Sequence, residues 1–234
     1  MNLFRRIFAR PSGEIYESFP VAALLTLSGG FQDAYTYYCR SGVFANAQTG
    51  NIVFMGANVF SGKWDIALRY AVPVLAFTIG IYIAEAIHRR KRYIKSLKWR
   101  QIILLFEFFV LFTVGFIPQS LNILANSLVS FVCALQVQTF RRVNGSVYAS
   151  TMCIGNIRSA TEAFGDYIST REKSALAKSA DYLTIIIFFA VGAGIGSLSA
   201  GKFGGREIWF SAALMLVCFT LMFIKPHDDA SSGA

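Results

Sequence analysis

Charge is what this chain has least of. Only 15% of its 234 residues are Asp, Glu, Lys or Arg, against 55% that are hydrophobic. A soluble domain of similar size carries about 25% charged residues. Histidine is nearly absent: His88 and His227 lie in charged flanks, and neither has a second ligand nearby in sequence. The four cysteines (Cys39, Cys133, Cys153, Cys218) are scattered singly through apolar stretches with no metal-type spacing, so they read as small buried hydrophobes. There is no G-x-S-x-G, no H-E-x-x-H and no phosphate-cradling Gly-Lys-Ser/Thr. Without a nucleophile or ligand set, hydrolytic, metal-dependent and cofactor-dependent chemistry has nothing to start from. The chain is expected not to be an enzyme and to need no cofactor and no metal.

What it does have is length of apolar sequence. Several windows of about 20 residues carry few or no charges, enough to cross roughly 30 Å of hydrocarbon. The formal charge of +9 could suggest nucleic acid. The basic residues instead sit between apolar runs, where they set membrane orientation. Nucleic acid is therefore excluded as a partner, and the lipid bilayer is the expected one. Arg5, Arg6 and Arg10 resemble the start of a secretory signal, but Pro11-Ser-Gly-Glu and Glu17 interrupt before any apolar stretch.

Full spans are expected at about Phe19–Cys39, Ile66–Ile87 (with Pro73 near its start), Gln101–Ile117, Leu121–Phe140, Tyr182–Ala200 and Ile208–Ile224. Asp166 to Lys178 reads as a charged linker, and the polar C-terminal tail as disordered. Two further segments are apolar yet broken by polar residues: Gly42–Gly62, which contains Asn46, Gln48, Thr49, Gly50 and Asn51, and Val147–Gly165, which contains Gly155, Asn156, Arg158 and Glu162. Buried amides without partners cost a few kcal/mol each, so the first cluster calls for a reason such as a broken segment beside a solute path.

The two halves echo each other. Gln32 is answered by Gln136, Gly50-Asn51-Ile52 by Gly155-Asn156-Ile157, and Phe77-x-x-Gly80 by Phe189-x-x-Gly192, at offsets of 104, 105 and 112. Offsets that rise in order fit a duplication with small insertions. If all eight apolar segments spanned, at least nine basic residues would lie outside. If the two Gly-Asn segments dip in and return, 17 of 22 lie inside. The positive-inside rule favours the second arrangement. So does the cost of Arg158 and Glu162 in a lipid-facing span, roughly 2.5–3.5 kcal/mol each.

The expected fold is therefore an all-α membrane protein of six transmembrane helices plus two broken or re-entrant segments. It would be one integral domain over 1–234, built from inverted-topology repeats at about 19–117 and 121–224, with both termini cytoplasmic. The tips of the two broken segments would meet near the midplane and hold a solute.

The run Gly29-Gly-Phe-Gln-Asp-Ala-Tyr35, followed by Gly42-Val-Phe-Ala-Asn-Ala-Gln-Thr-Gly-Asn-Ile-Val53, resembles the YoaK-like family of bacterial inner-membrane proteins, a domain of unknown function. The resemblance extends over roughly Phe19 to Ile224. It implies a multi-pass protein of the bacterial inner membrane and supplies no substrate. In the second half, this chain has Ala134-Leu-Gln-Val-Gln where the family's echo reads Gly-x-Gln-Asn-Ala.

The residues expected to bind a small polar or charged solute are Gln32, Asp33, Thr49, Gly50, Asn51, Gln136, Gly155 and Asn156; for the neutral Gln32, Asn51, Gln136 and Asn156 the equal alternative is hydrogen bonding to broken backbone. Asp33 is the most informative, because an acid about fifteen residues into a span marks a relay or a partner for a substrate. The alternative is a structural role, either an ion pair with Arg158 named as its partner or a helix-to-loop hydrogen-bond anchor. Glu107 and Arg158 are secondary candidates, and Arg158 also stands four residues from Glu162, the spacing of a helical ion pair. Gly192-Ala-Gly-Ile-Gly196 gives a small-residue packing face, for use inside one subunit or in a homodimer. Tyr35, Tyr37 and Tyr38 read as an interfacial aromatic belt. A small-solute transporter or channel is the leading reading. A non-transporting scaffold or regulatory protein is the alternative, with an intramembrane enzyme built on Asp33 behind it.

Overall fold

The computed structural model describes residues 15–91 and 98–223. Arg5, Arg6, Arg10, Arg92, Lys95, Lys225, His227 and the C-terminal tail lie outside them. Among the described residues there are eight α-helices: α1 (Phe19–Cys39), α2 (Gln48–Phe60), α3 (Trp64–Lys91), α4 (Lys98–Val114), α5 (Asn122–Thr139), α6 (Cys153–Thr170), α7 (Lys173–Ser199) and α8 (Trp209–Leu221). A two-stranded antiparallel ribbon, Arg142–Val143 with Ser146–Val147, turns at Asn144-Gly145, the dipeptide most favoured in tight hairpins. The expected linker at 166–178 is instead almost wholly helical. Arg171 ends α6 in the left-handed conformation (φ 60°) and α7 starts at Lys173, so the charges of this stretch ride on exposed helix faces.

Among the described residues, three helices are long and apolar enough to cross a membrane: Trp64–Arg90, Gln119–Thr139 and Lys173–Ser199. Pro73 sits inside α3, as membrane helices tolerate. α4 and α8 are shorter, at 17 and 13 residues. α3 and α7 leave apolar residues such as Leu68, Leu75, Ile79, Leu183, Ile187 and Leu198 exposed, an outer surface far larger than water tolerates on a monomer. The core lies inside, where Leu25, Phe31, Leu104, Leu111, Val129, Val132, Ile208 and Met215 join α1, α4, α5 and α8.

Contacts fix the helix directions. Gly192 packs on Leu27, and Gly196 on Phe31 and Ala34, so α1 and α7 run parallel. A Cβ on Gly192 would run into the Leu27 carbonyl, which is why the small-residue face is needed at this seam. Gly80 faces Phe131 and Ala134, and Glu85 accepts from Gln138, so α3 and α5 are parallel too. Arg40, at the end of α1, meets Asn122 and Asn126 at the start of α5, while Gln136 near the end of α5 donates to the Leu25 carbonyl. Those two helices are antiparallel. The last turn of α4 also reaches Arg40, and Trp209 at the start of α8 donates to Phe112 of α4. In chain order, α1, α3, α4, α5, α7 and α8 therefore alternate up and down.

Candidate functional site

The site is built where the chain turns back on itself twice. After α1, Ser41 and Gly42 take positive φ (70° and 72°), a reversal that Gly accepts freely. Residues 43–47 then run back beside α1. The Ala45 N–H donates to Thr36 Oγ1 (3.0 Å), the Asn46 N–H to Asp33 Oδ1 (2.7 Å), and Asn46 Nδ2 to the Gly29 carbonyl (2.8 Å). Only there, beside the middle of α1, does α2 begin, and it returns to the end of the bundle where α1 stops.

Asn51 holds this loop in shape. Its Oδ1 accepts from the Phe44 N–H (3.1 Å) and its Nδ2 donates to the Phe44 carbonyl (2.7 Å). Those two bonds replace what a strand partner would supply to an isolated extended residue. The second turn-back repeats the device. Beyond the ribbon, residues 148–152 run back beside α5, where Gln136 Nε2 donates to Ser150 Oγ (2.9 Å). Asn156 then clamps Ala149, accepting from its N–H (3.4 Å) and donating to its carbonyl (2.8 Å). The clamp spans seven residues in both cases.

Both tips arrive at Gly29. The Asn46 amide bonds its carbonyl, and a Cβ there would lie 2.7 Å from the Thr151 methyl and 3.3 Å from the Ser150 oxygen. Around this meeting point opens a cleft of about 1070 Å³. Asp33, Asn46, Gln48, Thr49, Thr151, Asn156, Ser159 and Ser197 give it polar groups, and Tyr37, Tyr38, Phe44, Phe77, Tyr148 and Phe189 its aromatic walls. Among the described residues, its lining contains one carboxylate and no basic side chain.

Asp33 is 6% exposed. Its carboxylate receives the backbone amide of Asn46, with those of Ala47 and Ala45 beside it. Since Ala47, the residue capping α2, offers no side-chain cap, Asp33 supplies from α1 the negative charge that a helix N-terminus favours. The helix start at the first tip thus already has an anion of the chain's own beside it. At the second tip the residue after Gln136 is Val137, and α6 starts with no side-chain cap at Met152. Asn46 Oδ1 and Thr151 Oγ1 are buried and accept no hydrogen bond from the described residues.

Four of the expected ligands, Asp33, Thr49, Gly155 and Asn156, line the cleft. The other four do not. Asn51 is fully buried in its clamp, Gln136 bonds Ser150 and Leu25, Gln32 donates to Ser28 Oγ (3.0 Å), and Gly50 packs on the Phe44 ring. Glu107 is fully buried away from the cleft, and neither of its oxygens has a hydrogen-bond partner among the described residues. Arg158 pairs with exposed Glu162 (2.8 Å) and not with Asp33, so the suspected Asp33–Arg158 pair is corrected. Tyr37 and Tyr38 belong to the cleft, with Tyr37 stacked on Phe44 (4.7 Å), while Tyr35 is buried and bonded to Arg40 and Gly205. Asn46, Thr151 and the aromatic walls were not among the expected ligands. The offset of 105 that pairs the two clamps also pairs Asn46 with Thr151 and was the available signal.

An apolar outer surface around a helical core, with a polar cleft at two turned-back loops, defines a membrane-type all-helical protein. Residues 21–221 match the family described as Protein of unknown function (DUF1275), and the chain belongs to that family. Neither the curated proteins nor the solved structures gave a match.

Proposed function

We propose that the protein is a small-solute membrane transporter or channel whose path crosses the bilayer through the cleft at Gly29. Six helices (α1, α3, α4, α5, α7, α8) span. α2 and α6 are the returning limbs of re-entrant segments, and residues 19–117 and 121–224 form inverted repeats. The alternating helix directions support this reading, as does the antiparallel placement of α1 against α5, its counterpart in the second half. The end of the bundle that carries Arg89, Arg90, Arg100, Arg141, Arg142, Arg171 and Lys173 is then cytoplasmic by the positive-inside rule.

One observation carries the functional reading: two loop tips, one from each half, converge on a single α1 residue and line one cleft that holds a single acid. Non-helical backbone at mid-depth is tolerated where it lines a cavity, and solute sites at repeat interfaces use such half-helix ends. The protein itself carries out no covalent chemistry in this reading.

The test has two arms. Cysteines introduced at Ser61 and Ser169, in a chain lacking the four native ones, are labelled from opposite sides of intact cells, Ser61 from outside. Proteoliposomes are then challenged with matched neutral, cationic and anionic small solutes. Flux of at least one class, lost in Asp33→Asn, is expected. Absence of flux for every class, with correct labelling, would leave a scaffold or regulatory role.

A further inference from the structure

We propose that Glu107 is a proton-binding site inside the bundle, separate from the solute cleft and loaded and unloaded from it by way of Cys133. Glu107 lies near the middle of α4 and is fully buried, with neither carboxyl oxygen hydrogen-bonded among the described residues. Leu104 and Leu111, about one turn to either side, belong to the apolar core shared with α1, α5 and α8. The carboxyl therefore faces the bundle interior, while Ile102, Phe106 and Phe109 take the outer face of the same helix. An acid placed this way inside a membrane-type bundle marks an ion or proton path by default.

Few groups share that interior. Cys133 of α5 and Cys218 of α8 are close enough to feel a charge at Glu107. α1 contributes Asp33, which also acts on Cys133. No charged side chain among the described residues acts on Glu107 itself. A carboxylate buried with neither a cation nor a donor is an uncompensated charge, whereas the same group carrying a proton is not. The site is complete only with a proton on it.

Space decides the ligand. Nothing as large as a water molecule can touch Glu107, and no group of three His, Cys, Asp or Glu among the described residues could hold a metal ion. A metal ion or an organic solute has neither room nor ligands here, and a proton needs only one oxygen. Cys133 decides the route. Its thiol stands beside the Thr151 side chain, and both Thr151 and Asp33 line the cleft. Cys133 is thus the neighbour that the buried acid and the cleft have in common. On the transport reading above, this proton is the coupled ion; that coupling rests on the reading, and the proton site does not.

The test reads the site without any flux. Infrared difference spectra of the full chain in lipid vesicles are recorded as a function of pH. They are expected to show the carbonyl stretch of a protonated carboxyl free of hydrogen bonds, lost reversibly as the pH rises. The band should be absent in Glu107→Gln and present, at a shifted frequency, in Glu107→Asp. In heavy water it shifts as the proton exchanges, and Cys133→Val should slow that exchange at least five-fold. Absence of the band at every pH, or a band that neither titrates nor exchanges, overturns the site. Exchange that is unchanged in Cys133→Val overturns the route. In a second arm, vesicles holding a pH-sensitive dye are offered the neutral, cationic and anionic solutes of the flux assay. Passage of the transported class should change the internal pH in the wild type and not in Glu107→Gln. Flux without a pH change overturns the coupling. No flux at all, with the band in place, counts against the transport reading and leaves the proton site standing.

Discussion

The two turned-back loops share a skeleton and differ in charge. Each is held by an asparagine that clamps the backbone seven residues earlier, and each presents its tip to Gly29. Only the first has an acid at the start of its short helix, because Gln32 is followed by Asp33 while Gln136 is followed by Val137. Shape and charge are therefore separable here. The clamps determine that a loop folds back at all, and the residue after the glutamine decides what the tip offers electrically.

That separation can be broken from the skeleton side first. Asn51→Ala strands a backbone N–H and a carbonyl in a partly buried loop, and each such loss costs about 1–3 kcal/mol. Roughly 3 kcal/mol of stability should go, read as a lower midpoint of thermal unfolding in detergent. Asn156→Ala is expected to cost less, roughly 1–2 kcal/mol in the same assay, because its contact to the Ala149 N–H is longer, at 3.4 Å. Equal losses would mean that the two clamps carry equal weight.

Gly29→Ala tests whether the tips truly share a residue. The new methyl meets the Thr151 side chain and a backbone oxygen, and overpacking of this kind costs about 1–3 kcal/mol. Thr151→Ser in the same chain removes the clashing methyl and should recover most of the loss. The smallest stability change is expected from the charge side. Asp33→Asn keeps the shape of the cap and should cost about 1 kcal/mol, while solute flux falls at least ten-fold. Val137→Asp sharpens the contrast by placing a second acid beside the uncapped start of α6, and it should change which charge class of solute passes.

The helices themselves were legible because apolar runs and Gly or charge punctuation mark span ends. The helix expected at about Phe19–Cys39 has those bounds, whereas the break expected at Thr49-Gly50-Asn51 lies earlier, in residues 43–47, and both Gly-Asn pairs sit inside helices. What could not be read was which polar side chains are consumed by their own backbone. Asn51 and Gln136 looked like ligands because nothing in the local pattern announces a partner seven or fourteen residues back. Arg40 is fully buried, and nothing near it in sequence announces this, since most of its acceptors come from residues some eighty positions away. The stretch 166–178 was misjudged for the opposite reason: dense charge suggested a solvated linker, yet a helix surface accommodates charge equally well.

Arg40 also bears on how the protein can move. Its guanidinium donates to five oxygens: the Tyr35 hydroxyl, the carbonyls of Val114, Ile117 and Pro118, and the side chain of Asn122. Withdrawing a cation from such a cage would abandon it in a dry interior, which is among the costliest events a fold can suffer. That corner rivets the first half of the chain to the second, so any rocking of one half against the other must pivot about it and widen elsewhere.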